Sequence, residues 1–266
     1  MSGNSGIVVD KGYSATLVDN IKFALKANIE TSFASTLGQV SDIVNIMASQ
    51  IHFESHYNVD ARGIQVSYNR GTTGYSYLNS SAVSYLLQTG TPTQKANIFE
   101  GLRGWGLGQV MGWNFVRGGG PSGKCEIENS RPDLAGALCI NPGDSIAAHA
   151  SGVNNISTMV LAQLVLVESK YKNVQAVGGG FMSKGDAYKR VFPTKIEAAV
   201  AAYLGLGAAD GNRTTPQAYA ASICYGTSYK IANGSSVSVK QSVTQVAGSG
   251  PTTNGSSKTV ITPPGC

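Results

Sequence analysis

Residues 40–61, VSDIVNIMASQIHFESHYNVDA, decide the fold, because a long apolar periodicity ends there on a carboxylate and a polar turn. Val40, Ile43, Val44, Met47, Ala48 and Ile51 recur at the spacing of one helix face, which predicts a helix from about Val40 to Glu54. Ser41 or Asp42 offers an N-cap if the first turn starts slightly later. At about 100° per residue, Glu54 lies roughly 700° from Met47, about 20° short of two full turns. Its carboxyl group therefore continues the stripe of Ile43, Met47 and Ile51. A carboxyl on an apolar stripe loses hydration, which penalises its charged form. Such a glutamic acid stays protonated near neutral pH and can serve as a general acid. The plainer alternative is a helix-end carboxylate that reaches out to solvent.

Working outward, Leu17, Ile21, Ala24, Leu25 and Ile29 predict an amphipathic helix over residues 14–29. Residues 61–81, rich in Gly, Tyr, Ser and Asn, read as loop or irregular hairpin. Short helices are expected over 82–88 and 92–103, the second opened favourably by Pro92. Residues 104–113, GWGLGQVMGW, hold both tryptophans of the chain, and Gly118-Gly119-Gly120-Pro121 opens an irregular stretch to about Pro142. Residues 156–170 are apolar on nearly every face, the pattern of a helix buried in the middle of a domain. An alanine-rich helix follows over 194–206, and a last helix over 215–229. From Asn233 onward, Ser, Gly, Thr, Val and Pro read as tail or linker. The expected class is mainly α, with long loops.

The 266 residues suit one large domain, or a domain with a small appendage. An apolar share of 42% is enough for a full core and excludes wholesale disorder. Only 13% of residues are charged, about half the usual ~25%. The resulting surface, rich in hydroxyls and amides, suits hydrogen bonding to a neutral polymer such as a carbohydrate. A net charge of +5 and a pI near 9.0 mildly favour an anionic partner such as a bacterial wall, a membrane surface or nucleic acid. The Lys/Arg clusters of a dedicated nucleic-acid binder are missing, so no nucleic-acid partner is expected. No membrane span is expected either, since the longest apolar run, near Met159–Val167, is interrupted by Gln163. Met1–Asp10 lack the positive patch and apolar stretch of a secretory leader, so another route of delivery is expected if the protein works outside a cytoplasm. Cys125, Cys139, Cys224 and Cys266 show no CxxC spacing, which excludes a zinc ribbon or thioredoxin-type motif. Cys125 and Cys139 could close a short loop if oxidised; buried or idle thiols are the alternative.

Three further groups carry chemistry. His52 and His56 are four apart, as in a helical zinc site, but the metalloprotease string needs Glu beside the first His. Here Glu54 is one place off, and the histidines fall on the face opposite the apolar stripe, so surface or supporting histidines are expected instead of zinc. In Gly104-Trp105-Gly106-Leu107-Gly108-Gln109, alternating glycines let a backbone approach a ligand, and Gln109 supplies both donor and acceptor. Trp105 and Trp113 offer faces for sugar rings; a tight loop with packed aromatics is the alternative. Tyr203, near the end of the alanine-rich helix and followed by Gly205 and Gly207, either borders a cleft or is a core tyrosine before a glycine helix stop.

Taken in order, these pieces resemble the soluble lytic transglycosylases, a family with the lysozyme-like fold. The family's helix ends in Glu-Ser, then an aromatic, Asn, a variable pair and Ala; here the string is Glu54-Ser55-His56-Tyr57-Asn58-Val59-Asp60-Ala61. Its G-L-M-Q element is matched by Gly106-Leu107-Gly108-Gln109, and its buried helix opening with Asn-Ile by Asn155-Ile156. Tyr203-Leu204-Gly205-Leu206-Gly207 looks like the phage form of the last motif. Goose-type lysozymes share Glu-Ser-His and a Gly-Gln-Val after the glycines. The resemblance spans residues from about 15 to 210, departing from the family at Gly108, where Met is usual, and at Leu204, where Asn is usual. It implies a catalytic domain over residues 1–232 with inserts at about 62–103 and 116–150, and a polar tail over 233–266.

The resemblance further implies cleavage of the β-1,4 bond between N-acetylmuramic acid and N-acetylglucosamine in peptidoglycan glycan strands. Glu54 would be the single acid and base. Ser55 would orient it, Gln109 would bind the sugar or its acetamido group, and Tyr203 would support the catalytic geometry. Tyr57, Trp105 and Trp113 are candidates for the cleft wall. No cofactor and no metal are implied. Asp60 and Glu100 match no family position for a second carboxylate, which favours a transglycosylase over a hydrolysing lysozyme. With no leader and a phage-like last motif, the expected setting is a virion-associated enzyme acting in the bacterial envelope during infection, with the tail available to other virion proteins. A lysis enzyme released through a holin is the alternative setting. A structural virion component that keeps the fold without activity is the alternative function.

Overall fold

The structure, a computed structural model, describes residues 7–8, 15–118, 124–186, 188–205, 215–225, 229–230, 236–237, 260–261 and 265–266. In chain order the principal elements are β1 (Ile7–Val8), α1 (Ala15–Ser32), α2 (Ile43–Ser55), α3 (Thr73–Leu78), α4 (Ser81–Thr89), α5 (Pro92–Glu100), β2 (Gly104–Trp105), β3 (Val110–Met111), α6 (Glu126–Ser130), α7 (Ala135–Leu138) and α8 (Ile146–Ala150). They continue with α9 (Ile156–Lys172), β4 (Val174–Val177), β5 (Gly180–Ser183), α10 (Lys195–Leu204), α11 (Pro216–Tyr225), β6 (Tyr229–Lys230), β7 (Ser236–Val237) and β8 (Val260–Ile261). The described chain is mainly helical, and its strands form four two-stranded antiparallel pairs. Among the described residues no helix is long and apolar enough to cross a membrane.

Two compact units divide the chain: Met1–Phe53 with Val167–Cys266, and Glu54–Leu166. In the first, α1 buries Val18, Ile21, Leu25 and Ile29, so Val18 takes the place in the stripe that Leu17 was expected to hold. Helix α2 starts at Ile43, after Asp42 turns the chain with φ 55° and accepts a 2.7 Å hydrogen bond from the Asn45 side chain. Ile43, Ile46, Met47, Ala48 and Ile51 are buried, and so are Ser49, Gln50 and His52. Burial of these polar residues means that α2 is enclosed on more than its apolar stripe, and of the two places expected for the histidines, surface or supporting, His52 does not take the surface one. Gln50 meets this cost by donating from Nε2 to the Tyr219 hydroxyl at 3.0 Å, while Phe53 packs edge-on against the same ring. Thr194 caps α10 by accepting the Glu197 amide at 3.2 Å, and α10 lies against α11. Ala198, Ala199, Ala201, Ala218, Ala220 and Ala221 are all buried, and their short side chains allow that close approach. The β4–β5 hairpin was not foreseen; its register pairs Val174 with Ser183 and Val177 with Gly180. Cys224 of α11 is disulfide-bonded to Cys266, and the Gly265 amide donates to the Cys224 carbonyl at 2.8 Å. Most of the expected tail, and Leu206-Gly207 of the last motif, lie outside the described residues.

The second unit holds the Gly-rich centre of the sequence. Residues 61–81, expected as loop or hairpin, contain α3. Thr72 caps it by accepting the Tyr75 amide at 3.2 Å, and buried Tyr77 anchors it by donating to the Ile98 carbonyl at 3.1 Å. Capping and one tertiary anchor make a helix here without apolar periodicity. Helix α5 opens with Pro92 behind a capping box formed by Thr91 and Gln94. The stretch expected to be irregular up to Pro142 contains α6 and α7, linked by the Cys125–Cys139 disulfide with Cα atoms 6.1 Å apart. Among the described residues no cysteine is free. Met159, Val160, Ala162, Leu164 and Val165 of α9 are buried, as its uniform apolarity predicts.

Candidate active site

Glu54 stands in the last turn of α2, half-buried, with Ser55 buried beside it as the final helical residue. The helix stops because His56 and Tyr57 both take left-handed backbone, with φ 51° and 61°. Two such non-glycine residues cost on the order of 1–2 kcal/mol each. Full burial of the Tyr57 side chain, at 0% exposure, offsets this by roughly 1.5–3 kcal/mol. Burial also pushes the Tyr57 phenol far above the ordinary tyrosine range, so the ring stays neutral. His56 lies past the helix end and is exposed, so His52 and His56 do not present one helix face to a metal.

Asn58 then shapes the descent from the helix. Its amide donates to the Ser55 carbonyl at 2.9 Å, and its side-chain oxygen accepts the Asp60 amide at 2.9 Å. The chain emerges as an extended segment along the β2–β3 hairpin. Gly106 donates to the Ala61 carbonyl at 2.9 Å, Arg62 bridges Trp105, and Gly63 donates to the Gly104 carbonyl at 2.8 Å. The segment leaving the Glu54 turn is thus hydrogen-bonded along the Gly-rich hairpin through a single bridge, which sets the Ala61 end of the Glu-Ser motif beside the Gly-Leu-Gly-Gln motif.

Each residue of that hairpin has a steric reason. At Gly106, with φ 63°, a Cβ would fall 2.1 Å from the Met159 sulfur and 2.5 Å from the Ala150 carbonyl oxygen. Gln109 is the left-handed residue of the turn, with φ 49°, and its Nε2 donates to the Gly106 carbonyl at 3.0 Å. Its Oε1 would lie 3.0 Å from a Cβ at either Gly63 or Gly104, so both glycines make room for it. Gln109 is half-buried and held, with its side-chain oxygen over Gly63 and Gly104. The loop ahead of α9 docks on the same turn through the Gly152 amide and the Val59 carbonyl, 3.1 Å apart.

Trp105 faces inward at 5% exposure, its Nε1 donating to the Glu100 carbonyl at 2.9 Å and the Arg62 guanidinium lying 5.5 Å from its ring. It braces the hairpin, as the packed-aromatic alternative holds. Trp113 is half-buried, with its ring 6.4 Å from Tyr77. Sequence reading passed over Arg62, which pairs with Glu100; Arg103 approaches the same carboxylate at 3.7 Å and donates to the Gly63 carbonyl at 3.2 Å. Glu100 is therefore engaged by two guanidinium groups, and Asp60 is exposed in the turn. Tyr203 is half-buried two residues before the end of the described part of its motif, in the first unit. Among the described residues the only three-residue group with metal-ligand spacing is Cys125, Glu128 and Cys139, two members of which are joined as a disulfide. Comparison of the chain with family models, with curated proteins and with solved structures returns no match.

Proposed function

We propose that this chain is a peptidoglycan lytic transglycosylase with a lysozyme-like catalytic domain, in which Glu54 is the single acid and base. The observation that carries the reading is the set of backbone hydrogen bonds by which the segment leaving the Glu54-Ser55 turn lies along the hairpin that bears Gln109. Two motifs set 52 positions apart become neighbours, with one carboxyl group and one amide side chain on adjoining segments. Glu54 donates its proton to the oxygen between N-acetylmuramic acid and N-acetylglucosamine as that bond breaks. The carboxylate then takes the proton of the muramic C6 hydroxyl, whose oxygen attacks C1 and closes a 1,6-anhydro ring. Neither water nor a second carboxylate enters this sequence, in contrast to a two-carboxylate glycosidase.

Within this proposal Ser55 orients Glu54, Gln109 binds the sugar or its acetamido group, and Tyr203 supports the geometry; Tyr203 rests on the motif resemblance. Buried Tyr57 and Trp105 shape the turn and hairpin beneath the sugar instead of stacking on it. Delivery in a phage particle, with action on the bacterial wall during infection, completes the proposal. Digestion of purified peptidoglycan followed by mass analysis of the fragments tests it: anhydro-muramic ends are expected, and Glu54→Gln is expected to remove them while the fold persists. Reducing ends would establish a hydrolase. Unchanged cleavage by the variant would overturn the assignment of Glu54.

A further inference from the structure

The disulfide between Cys125 and Cys139 stands in a set of donors that the proposed reaction does not use. Cys125 is the N-cap residue of α6, and its Sγ accepts the Glu128 amide at 3.3 Å. Cys139 follows α7, with its amide donating to the Ala135 carbonyl at 2.8 Å. Its neighbour Ile140 donates to the Phe115 carbonyl and accepts the Arg117 amide, both at 2.9 Å. Each cysteine is thus placed by backbone bonds of its own surroundings, and Ile127, Ala135 and Leu138 between them are buried. The two sulfurs and a carboxylate oxygen of Glu128 all lie within 4.8 Å of one another. Both cysteines are buried, and Glu128 is half-buried. A disulfide alone has no use for the third donor.

We propose that Cys125, Cys139 and Glu128 form a zinc site in the reduced chain, so that metal and disulfide are alternative closures of the loop 125–139. A thiol reductant opens the bridge: its own thiols end as a disulfide, and the two cysteine sulfurs take up two electrons and two protons. Zn²⁺ then binds both sulfurs with release of those protons, and the Glu128 carboxylate supplies the third ligand. With Zn–S at ~2.3 Å and Zn–O at ~2.1 Å, the ligand atoms of a tetrahedral site stand about 3.5–3.8 Å apart. The carboxylate oxygen is already near that spacing, and the sulfurs reach it by side-chain rotation on Cα atoms 6.1 Å apart. Water completes the shell. Two thiolates with one carboxylate suit zinc, whereas calcium and magnesium take oxygen donors alone. The metal gives the loop a crosslink in reducing surroundings, where a disulfide does not persist. None of this rests on the lytic reading of Glu54.

The test is the zinc content of the full chain, oxidised or reduced with a phosphine, after addition of zinc and gel filtration. One equivalent is expected in the reduced chain and none in the oxidised one. Zinc should also raise the melting temperature of the reduced chain and leave that of the oxidised chain unmoved. Glu128→Gln keeps both thiols and is expected to weaken zinc binding by about tenfold or more, since loss of a ligand costs at least as much as loss of a supporting contact. Cys125→Ser with Cys139→Ser should hold no zinc under reduction, although Cys224 and Cys266 remain. Absence of zinc from the reduced native chain, an equal melting shift in both redox states, or zinc retained by the double variant would overturn the site. Equal affinity in Glu128→Gln would overturn it too, because two thiols alone are not the proposed ligand set.

Discussion

Gly106→Ala probes the joint on which the candidate site depends. The new methyl carbon would fall 2.1 Å from the Met159 sulfur, 2.9 Å from its Cγ and 2.5 Å from the Ala150 carbonyl oxygen. The thioether is the far end of a flexible side chain and can swing away, though it also accepts the Leu107 amide at 3.4 Å and would surrender that contact. The Ala150 oxygen is backbone at the end of α8 and must move by most of an ångström to reach an ordinary C···O separation of ~3.3 Å. Overpacking of this kind costs about 1–3 kcal/mol. Holding alanine at φ 63° adds about 1–2 kcal/mol, which no side-chain movement relieves.

The expected loss is therefore about 2–5 kcal/mol, or a fall in Tm of roughly 5–15 °C for a chain of this size. Urea unfolding followed by circular dichroism reads it as a lower midpoint. The geometry also predicts a coupling. Met159→Ala alone should destabilise by cavity formation, but in the double variant the methyl finds the space the thioether left, so the two losses should fall short of their sum by about 1 kcal/mol or more. A loss below about 1 kcal/mol for the single variant, or strict additivity in the double, would refute the claim that this glycine is fixed by Met159 and Ala150.

Other perturbations reach the first unit. Cys266→Ser opens a loop of 42 residues, and the chain-entropy relation puts the loss at about 4 kcal/mol at most. Limited proteolysis should then clip the chain beyond Tyr225, and an unchanged digestion pattern would count against the link. Asp186 is buried and would have its pKa raised by that burial, but the Arg190 side chain, the Tyr188 and Arg190 amides and the Arg190 charge together carry it below the usual carboxylate range. A depressed folded pKa contributes stability above the unfolded value of ~3.9 that fades as pH falls through the folded value. Arg190→Gln should accordingly cost about 3 kcal/mol at pH 7, with the gap from the native chain narrowing below pH 4. A gap that stays constant with pH would show that the pair is not what Arg190 contributes. Glu197 works in the opposite direction. Burial raises its pKa, partly offset by a 3.1 Å hydrogen bond from the Tyr225 hydroxyl, so its contribution is largest below the unfolded pKa and is lost as pH rises through the folded one. Glu197→Gln should remove this component and stabilise the chain more at pH 7 than at pH 4.

What the sequence disclosed, and what it withheld, follows from where each signal resides. The helices α1 and α2 were legible because apolar side chains repeat at helical spacing, α9 from its apolarity on nearly every face, α10 from its alanines, and α5 because Pro92 marks its start. Helix α3 was not, since Thr72 and the Tyr77–Ile98 contact hold it, and only the second of these joins residues distant in sequence. The β4–β5 hairpin has too few residues for an alternation to stand out. Glu54 and Gln109 could be singled out from local strings, yet their relation could not, because it is written in backbone hydrogen bonds from Gly106 to Ala61 and from Gly63 to Gly104. Nor could the inward turn of Trp105 and Tyr57 be read, since an aromatic beside glycines suits a cleft wall and a core equally well. The left-handed residues explain that outcome. His56, Tyr57 and Gln109 all stand at positive φ, a conformation that their residue types do not announce and that persists only when its surroundings compensate for it. Tyr57 is held by its burial and Gln109 by its bond to Gly106, so the turns at these two residues carry backbone strain, as Asp42 and Lys189 do elsewhere in the chain. Glycine at either turn would carry no such cost, so the side chains of Tyr57 and Gln109, through burial and through the bond to Gly106, are what keep these residues in place of it.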